Sequence, residues 1–181
     1  MKAKIELNKQ FKKALALMEN SHKNVFITGR AGTGKSTLLT YWRSKTKKKV
    51  VVLAPTGVAA LNVKGQTIHS FFRFKPDITL EKVRKSSRRG KNIYQKIETI
   101  VIDEISMVRS DLLDCVDKFM SLNGKSKNLP FGGVQMIFIG DLYQIPPVVT
   151  GKERQIFKTL YSSQYFLMPK SLKICKWNLL N

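Results

Sequence analysis

Gly29-Arg30-Ala31-Gly32-Thr33-Gly34-Lys35-Ser36 is the segment that most narrows what this chain can fold into. It has the spacing of a phosphate-binding loop, glycine, four residues, then Gly-Lys-Ser. Such a loop works only between a buried strand and the start of a helix, because its backbone N–H groups must converge on an anion at a helix N-terminus. Both neighbours are present. Asn24 to Thr28 is a short apolar run, and Lys35 to Ser44 has helical spacing. The candidate nucleotide-binding residues are therefore Gly29, Ala31, Gly32, Thr33 and Gly34 in the loop, and Lys35, Ser36 and Thr37 at the helix start. Lys35 is expected on the β- and γ-phosphates and the Ser36 hydroxyl on Mg2+.

The rest of the chain alternates strand and helix. Strands are predicted over Asn24 to Thr28, Lys49 to Ala54, Glu98 to Ile102, Gln135 to Gly140 and Leu172 to Leu180. Lys-Val-Val-Val-Leu-Ala at Lys49 to Ala54 is strongly β-branched, as expected of a buried parallel strand. Helices are predicted over Lys9 to Asn20, Lys35 to Ser44, Ser110 to Ser121 (with Ser110 or Asp111 near its cap) and Glu153 to Tyr161, with a further helix starting near Thr56 to Leu61. The expected fold is α/β, a parallel β-sheet with helices on both faces, in one domain over residues 1–181. Asn123 to Gly133 reads as a loop. Lys82 to Lys96 carries Lys82, Arg84, Lys85, Arg88, Arg89, Lys91 and Lys96 with no acid, either a solvated charged face or a segment that tracks phosphates.

Charge bears on partners. Lys plus Arg is 33 against 12 acids, a net charge of +21. That balance fits a polyanionic partner, most simply nucleic acid, or a lysine bias spread over every surface. No stretch approaches the roughly 20 apolar residues of a membrane span, and no apolar run follows the basic start as in a secretory signal. Cys115 and Cys175 match no metal-ligand spacing and read as free thiols. A location in the cytosol or nucleoid is the expectation.

Several further segments carry chemistry. Asp103-Glu104 closes the apolar run Ile100-Val101-Ile102, where an acid can hold Mg2+ (Asp103) and its neighbour can activate water (Glu104). The bland alternative is a helix cap. Gln144, in Gly140-Asp141-Leu142-Tyr143-Gln144-Ile145-Pro146-Pro147, is placed to sense a γ-phosphate or sits in a proline-stiffened turn. Pro55, Thr56, Gly57 and Val58 follow the second strand, where small residues admit a nucleic-acid backbone or simply pack tightly. His69, taken alone, reads as structural.

Together and in order, these motifs resemble the superfamily 1B DNA helicases of the petite-integration-frequency (PIF-one) type, relatives of RecD. The resemblance covers residues near 7 to 150 and the last strand. It implies a RecA-like P-loop NTPase domain of an ATP-driven motor moving five-prime to three-prime on single-stranded DNA. It assigns Lys35, Asp103, Glu104 and Gln144 to catalysis, with Ser36 and Asp103 on the metal. Pro55, Thr56, Gly57, Val58 and His69 go to DNA, and Gln10 to adenine, with Phe11 as the alternative register. It also implies a second RecA-like domain with a transition-state arginine, supplied by downstream sequence or a partner. Without it the chain is expected to bind ATP, Mg2+ and DNA but hydrolyse slowly, as a fragment or truncated product. The rival readings are a non-catalytic nucleotide- and DNA-binding module and a phosphate-loop kinase.

Overall fold

Along β1 (Asn24–Thr28), β2 (Val50–Ala54), β4 (Thr99–Ile102) and β5 (Gln135–Gly140), side chains alternate between two apolar layers. The computed structural model of the chain describes residues 8–87, 93–127, 129–141 and, as backbone, 177–180. On one face Phe26, Leu53, Ile100, Ile102, Met136 and Phe138 meet α4 (Ile68–Phe72) and α5 (Ser110–Asn123). On the other, Val25, Ile27, Val52, Val101, Ile137 and Ile139 meet α1 (Lys9–Asn20) and α2 (Lys35–Arg43). A strand has a side-chain period of two, so a strand covered on both faces must be apolar at every position.

Among the described residues the sheet has six strands in the order β3-β2-β4-β5-β1-β6, all pairs parallel. Here β3 is the two-residue Gln66–Thr67 and β6 is Trp177–Leu180. Parallel pairing sends every strand's carboxyl end to the same edge. The phosphate loop, Asp103 and the residues after Ala54 therefore share that edge, as the crevice rule for open α/β sheets requires.

The amino edge is closed by polar side chains. Gln135, 2% exposed, accepts from Lys48 Nζ at 2.9 Å and from Thr99 Oγ1 at 3.1 Å. Its amide donates to the carbonyls of Leu17 and Lys23. Lys48 also donates to the carbonyls of Met18 and Ser21. One buried amide thus joins α1, the segment before β2, β4 and β5.

The predicted strands and helices stand where described, with differences of a few residues at their ends. The last predicted strand is described over Trp177–Leu180, and its residues 172–176 and the predicted helix over Glu153 to Tyr161 lie outside the described residues. The N-cap of α5 is Arg109, in an extended conformation (φ −75°, ψ 148°), next to Ser110, which is already helical and buried. Arg109 grips Asp111 with Nε at 3.0 Å and Nη2 at 2.7 Å, and that carboxylate lies in the first turn where the helix dipole favours it. The loop before β5 is more built than its composition suggests. Pro130–Gly133 forms a 3-10 turn that buries Phe131 fully, and the Phe131 N–H donates to Asp117. The basic stretch is likewise not all solvated face: Val83 and Tyr94 are core residues. Cys115 is a buried thiol whose pKa burial pushes up to about 12, while Cys175 lies outside the described residues.

Candidate nucleotide and nucleic-acid site

Left-handed backbone at two glycines shapes the turn from β1 into α2. Gly32 has φ +80° and Gly34 φ +86°, and Gly34 is the N-cap of α2. An L side chain at φ near +80° is strained, so glycine here is a backbone requirement. Nothing lies within 4 Å of a Cβ built on Gly32, so that side of the loop is open. A Cβ on Gly34 would stand 3.0 Å from Cζ of Phe11. The first turn of α1 therefore rests on the loop. Asn8 starts that turn, its side-chain oxygen accepting from the Phe11 N–H at 2.8 Å.

Lys35 folds over the loop, its ammonium donating to the carbonyls of Gly29 at 2.7 Å and Arg30 at 3.0 Å. Thr33 braces the turn through its hydroxyl, which donates to the Arg30 carbonyl at 2.8 Å. Ser36 and Thr37 are exposed in the first turn of α2, and Ala31 is exposed at the tip of the loop.

Asp103 arrives from the other side. It ends β4, its N–H donating to the Leu53 carbonyl at 2.9 Å, and its residue is 6% exposed. Burial, reinforced by the Glu104 charge, raises its pKa to about 6, and the nearby Lys35 ammonium partly opposes the rise. A carboxylate that is costly to ionise is one that a cation would relieve. Glu104 sits in the left-handed region at φ 51°, ψ 43°, a strained position for a non-glycine residue of the kind that clusters at functional sites.

Two residues to which the motifs assign no role, Gly140 and Ser106, also shape this corner. A Cβ at Gly140, the last residue of β5, would come within 2.9 Å of Ile105 Cγ2 and 3.2 Å of Ile105 N. Glycine there lets β5 end directly against the turn after Glu104. Ser106 lies in that turn, buried, with no hydrogen-bond partner for its hydroxyl among the described residues. Their adjacency to the two motifs was the only signal in sequence. Gln144 lies outside the described residues.

The short β3 joins the two segments that the resemblance assigns to DNA. It pairs with the end of β2, Ala54 opposite Thr67, so the turn Pro55 to Val58 and helix α4 with His69 meet at one edge. Thr56 caps α3 (Gly57–Asn62) by accepting from the Ala59 N–H at 3.2 Å, which leaves its hydroxyl hydrogen free to donate outward. Val58 is 73% exposed beside it. Burial lowers the His69 pKa, favouring a neutral imidazole. Gln10 is exposed next to the Phe11 that touches the loop.

A parallel sheet with helices on both faces, a phosphate loop on β1 and an acid pair on β4 define a RecA-like P-loop domain. The model of the PIF1-like helicase family matches residues 4–178, and the chain belongs to that family. The ATP-dependent DNA helicase PIF1 of Saccharomyces cerevisiae is 42% identical over 82% of this chain and 18% of its own length. The ATP-dependent DNA helicase Pif1 of Bdellovibrio bacteriovorus is 38% identical over 83% of this chain and 35% of its own. The crystal structure of Bacteroides Pif1 bound to single-stranded DNA superposes with a TM-score of 0.87 at 37% identity, covering 98% of this chain and 42% of that one. The complex of Bacteroides Pif1 with ADP-AlF3 and single-stranded DNA gives the same TM-score at 36% identity, covering 98% of this chain and 42% of that one. The chain thus spans less than half of each of these proteins.

Proposed function

We propose that residues 1–181 form the first motor domain of a five-prime to three-prime DNA helicase, binding ATP and Mg2+ at the phosphate loop and single-stranded DNA across Pro55 to Val58 and His69. The observation that carries the reading is the convergence of Lys35 and Asp103 at one sheet edge, a cation over the loop near a buried carboxyl that is costly to ionise. Relatives of this chain are named ATP-dependent DNA helicases, and one is solved with ADP-AlF3 and single-stranded DNA together.

The residues fit Mg2+ and a triphosphate. Gly32 leaves an open side to the loop, and the N–H groups of Gly34, Lys35 and Ser36 begin a helix that favours an anion. Among the described residues no cluster of three His, Cys, Asp or Glu could cage a metal alone. Mg2+ commonly takes one or two protein ligands and completes its shell with phosphate and water, and Ser36 and Asp103 supply that number. Bound there, the ion would neutralise charge developing on the phosphates. Lys35 orients the β- and γ-phosphates, Glu104 takes the proton of the attacking water, and Gln144 reports the γ-phosphate. Ala31, Thr33 and Thr37 line the phosphate path, and Gln10 faces adenine.

Rapid turnover needs a second RecA-like domain carrying an arginine, in trans or in the same polypeptide; such a residue is worth on the order of 10³ or more in rate. ATP hydrolysis by this chain should therefore be slow and weakly stimulated by oligodeoxythymidylate, while a version continuing into a second motor domain turns over fast. Full-rate hydrolysis by the 181 residues alone would overturn this division of labour. The alternative, a non-catalytic nucleotide- and DNA-binding module, predicts that adding a second domain leaves turnover at background.

A further inference from the structure

The α5 face of the sheet, opposite the face that carries α2, holds a cavity of about 590 Å3. That lies within the roughly 300–1,000 Å3 typical of small-molecule sites. Its walls are aromatic. Phe72 and Phe74 stack with ring centroids 5.3 Å apart, and Tyr94 and Phe119 close the cluster. Its mouth is cationic. Arg73, Lys75, Arg84 and Lys85 are exposed lining residues, and the single acid among the described lining residues, Asp77, is already paired with Lys82.

Two features show that this mouth is built. Arg73 ends α4 in the left-handed region, at φ 56° and ψ 37°. Glycine adopts that conformation without penalty, so a long cation is kept where it strains the backbone, which points from structure to function. The opposite lip is pinned from below. Asn123, fully buried, accepts from the Ser86 N–H at 2.7 Å and reaches the Arg84 carbonyl at 3.4 Å. Lys118 donates to the Leu80 carbonyl at 2.7 Å, fastening the preceding turn to α5.

We propose that this cavity binds a nucleoside monophosphate unit, the base against its aromatic wall and the phosphate on Arg73, Lys75 and Lys85. An aromatic recess under a cationic rim is the chemistry that holds unstacked bases on a charged backbone. An acidic peptide would use the cations and leave the aromatic recess without purpose. The unit is either part of a single strand or a free nucleotide. None of the lining residues belongs to the phosphate loop, so the site stands or falls independently of the ATP reading.

The test uses the 181-residue chain carrying Lys35→Ala, which silences the phosphate loop, with Arg73→Gly and Phe74→Ala added singly. Binding of labelled oligodeoxythymidylate, of an abasic sugar-phosphate strand of equal length and of polyglutamate is measured by anisotropy. Arg73→Gly should weaken thymidylate binding about tenfold while melting no lower than its parent, because relief of backbone strain accompanies loss of the contact. Phe74→Ala should weaken thymidylate binding and leave the abasic strand unchanged. Should Phe74→Ala fail to fold, Ile78→Trp, which fills the recess at constant charge, takes its place. Competition by millimolar thymidine monophosphate assigns the site to free nucleotides, and its failure assigns it to a strand. Unchanged thymidylate affinity in Arg73→Gly, or equal weakening of thymidylate, abasic strand and polyglutamate in the recess variant, would overturn the proposal.

Discussion

The ammonium of Lys35 donates to the carbonyl of Gly29, the residue that opens the loop it closes, at 2.7 Å. With the Arg30 carbonyl at 3.0 Å it satisfies two of the three donors of an ammonium and leaves one directed elsewhere. The same contact holds the loop in shape and puts a positive charge inside it. Lys35→Ala removes both, and charge-assisted hydrogen bonds to phosphate of about 1.5–3 kcal/mol each are lost. ATP affinity should fall at least a hundredfold in titration calorimetry. Lys35→Arg should not rescue it, because a planar fork cannot cap two adjacent carbonyls as a compact ammonium does. Retained affinity in Lys35→Ala would count against the whole site.

Gly34 meets two constraints, a left-handed φ of +86° and the edge of Phe11 3.0 Å from a would-be Cβ. Gly34→Ala should cost about 1–2 kcal/mol in urea unfolding. Adding Phe11→Leu should recover only the steric share, since the backbone strain stays. ATP affinity should remain low in the double variant, because the strained cap still misdirects the first N–H groups of α2. Full recovery of both stability and affinity would show that Phe11, not φ, dictates the glycine.

The central strands and the phosphate loop were legible in sequence for one physical reason. Strands buried on both faces must be unbroken apolar runs, and Val50 to Ala54 and Gln135 to Gly140 are close to that. What escaped depends on contacts between distant segments. β3 is two residues long, too short for any periodicity, yet it pairs Ala54 with Thr67 and so brings the segments that carry Thr56 and His69 to one edge. The Phe11 contact with Gly34 and the seat of Gly140 on Ile105 are tertiary facts with no local signature. The start of α5 was legible because Ser110 and Asp111 are both strong cap formers, whereas the Arg109 to Asp111 pair at the N-cap has no such local signature.

Asp103 should make the ligand-free chain's stability depend on pH. Below pH 3.8 its carboxyl is neutral in the folded and unfolded chain alike. Between there and about pH 6 the unfolded chain releases the proton and the folded chain keeps it, so stability falls as pH rises. Above about pH 6 the loss is complete, on the order of 3 kcal/mol for a carboxyl raised from 3.8 to about 6. Asp103→Asn should therefore raise the melting temperature at pH 7.5, with the gain shrinking toward pH 4. The same substitution should abolish Mg2+-dependent tightening of ATP. A variant neither more stable at pH 7.5 nor impaired in Mg2+ response would remove Asp103 from its assigned place.

Gln135 offers the opposite case, stability without a part in the site. It sits at the amino edge of the sheet, where its one oxygen accepts from both Lys48 and Thr99 and its amide satisfies two carbonyls. Gln135→Ala removes one of the three acceptors of the Lys48 ammonium, whose pKa burial already lowers, and takes a partner from the Thr99 hydroxyl and from the Leu17 and Lys23 carbonyls. Unsatisfied buried groups cost about 1–3 kcal/mol each, partly offset by water entering from the edge. Unfolding free energy should drop by about 3 kcal/mol. At temperatures where the variant remains folded, ATP affinity should match that of the parent, because the two sheet edges lie at opposite ends of every strand. Chemical denaturation paired with calorimetry separates these outcomes, and a parallel loss of ATP affinity would mean that the polar edge and the phosphate loop are coupled through β1 and β5.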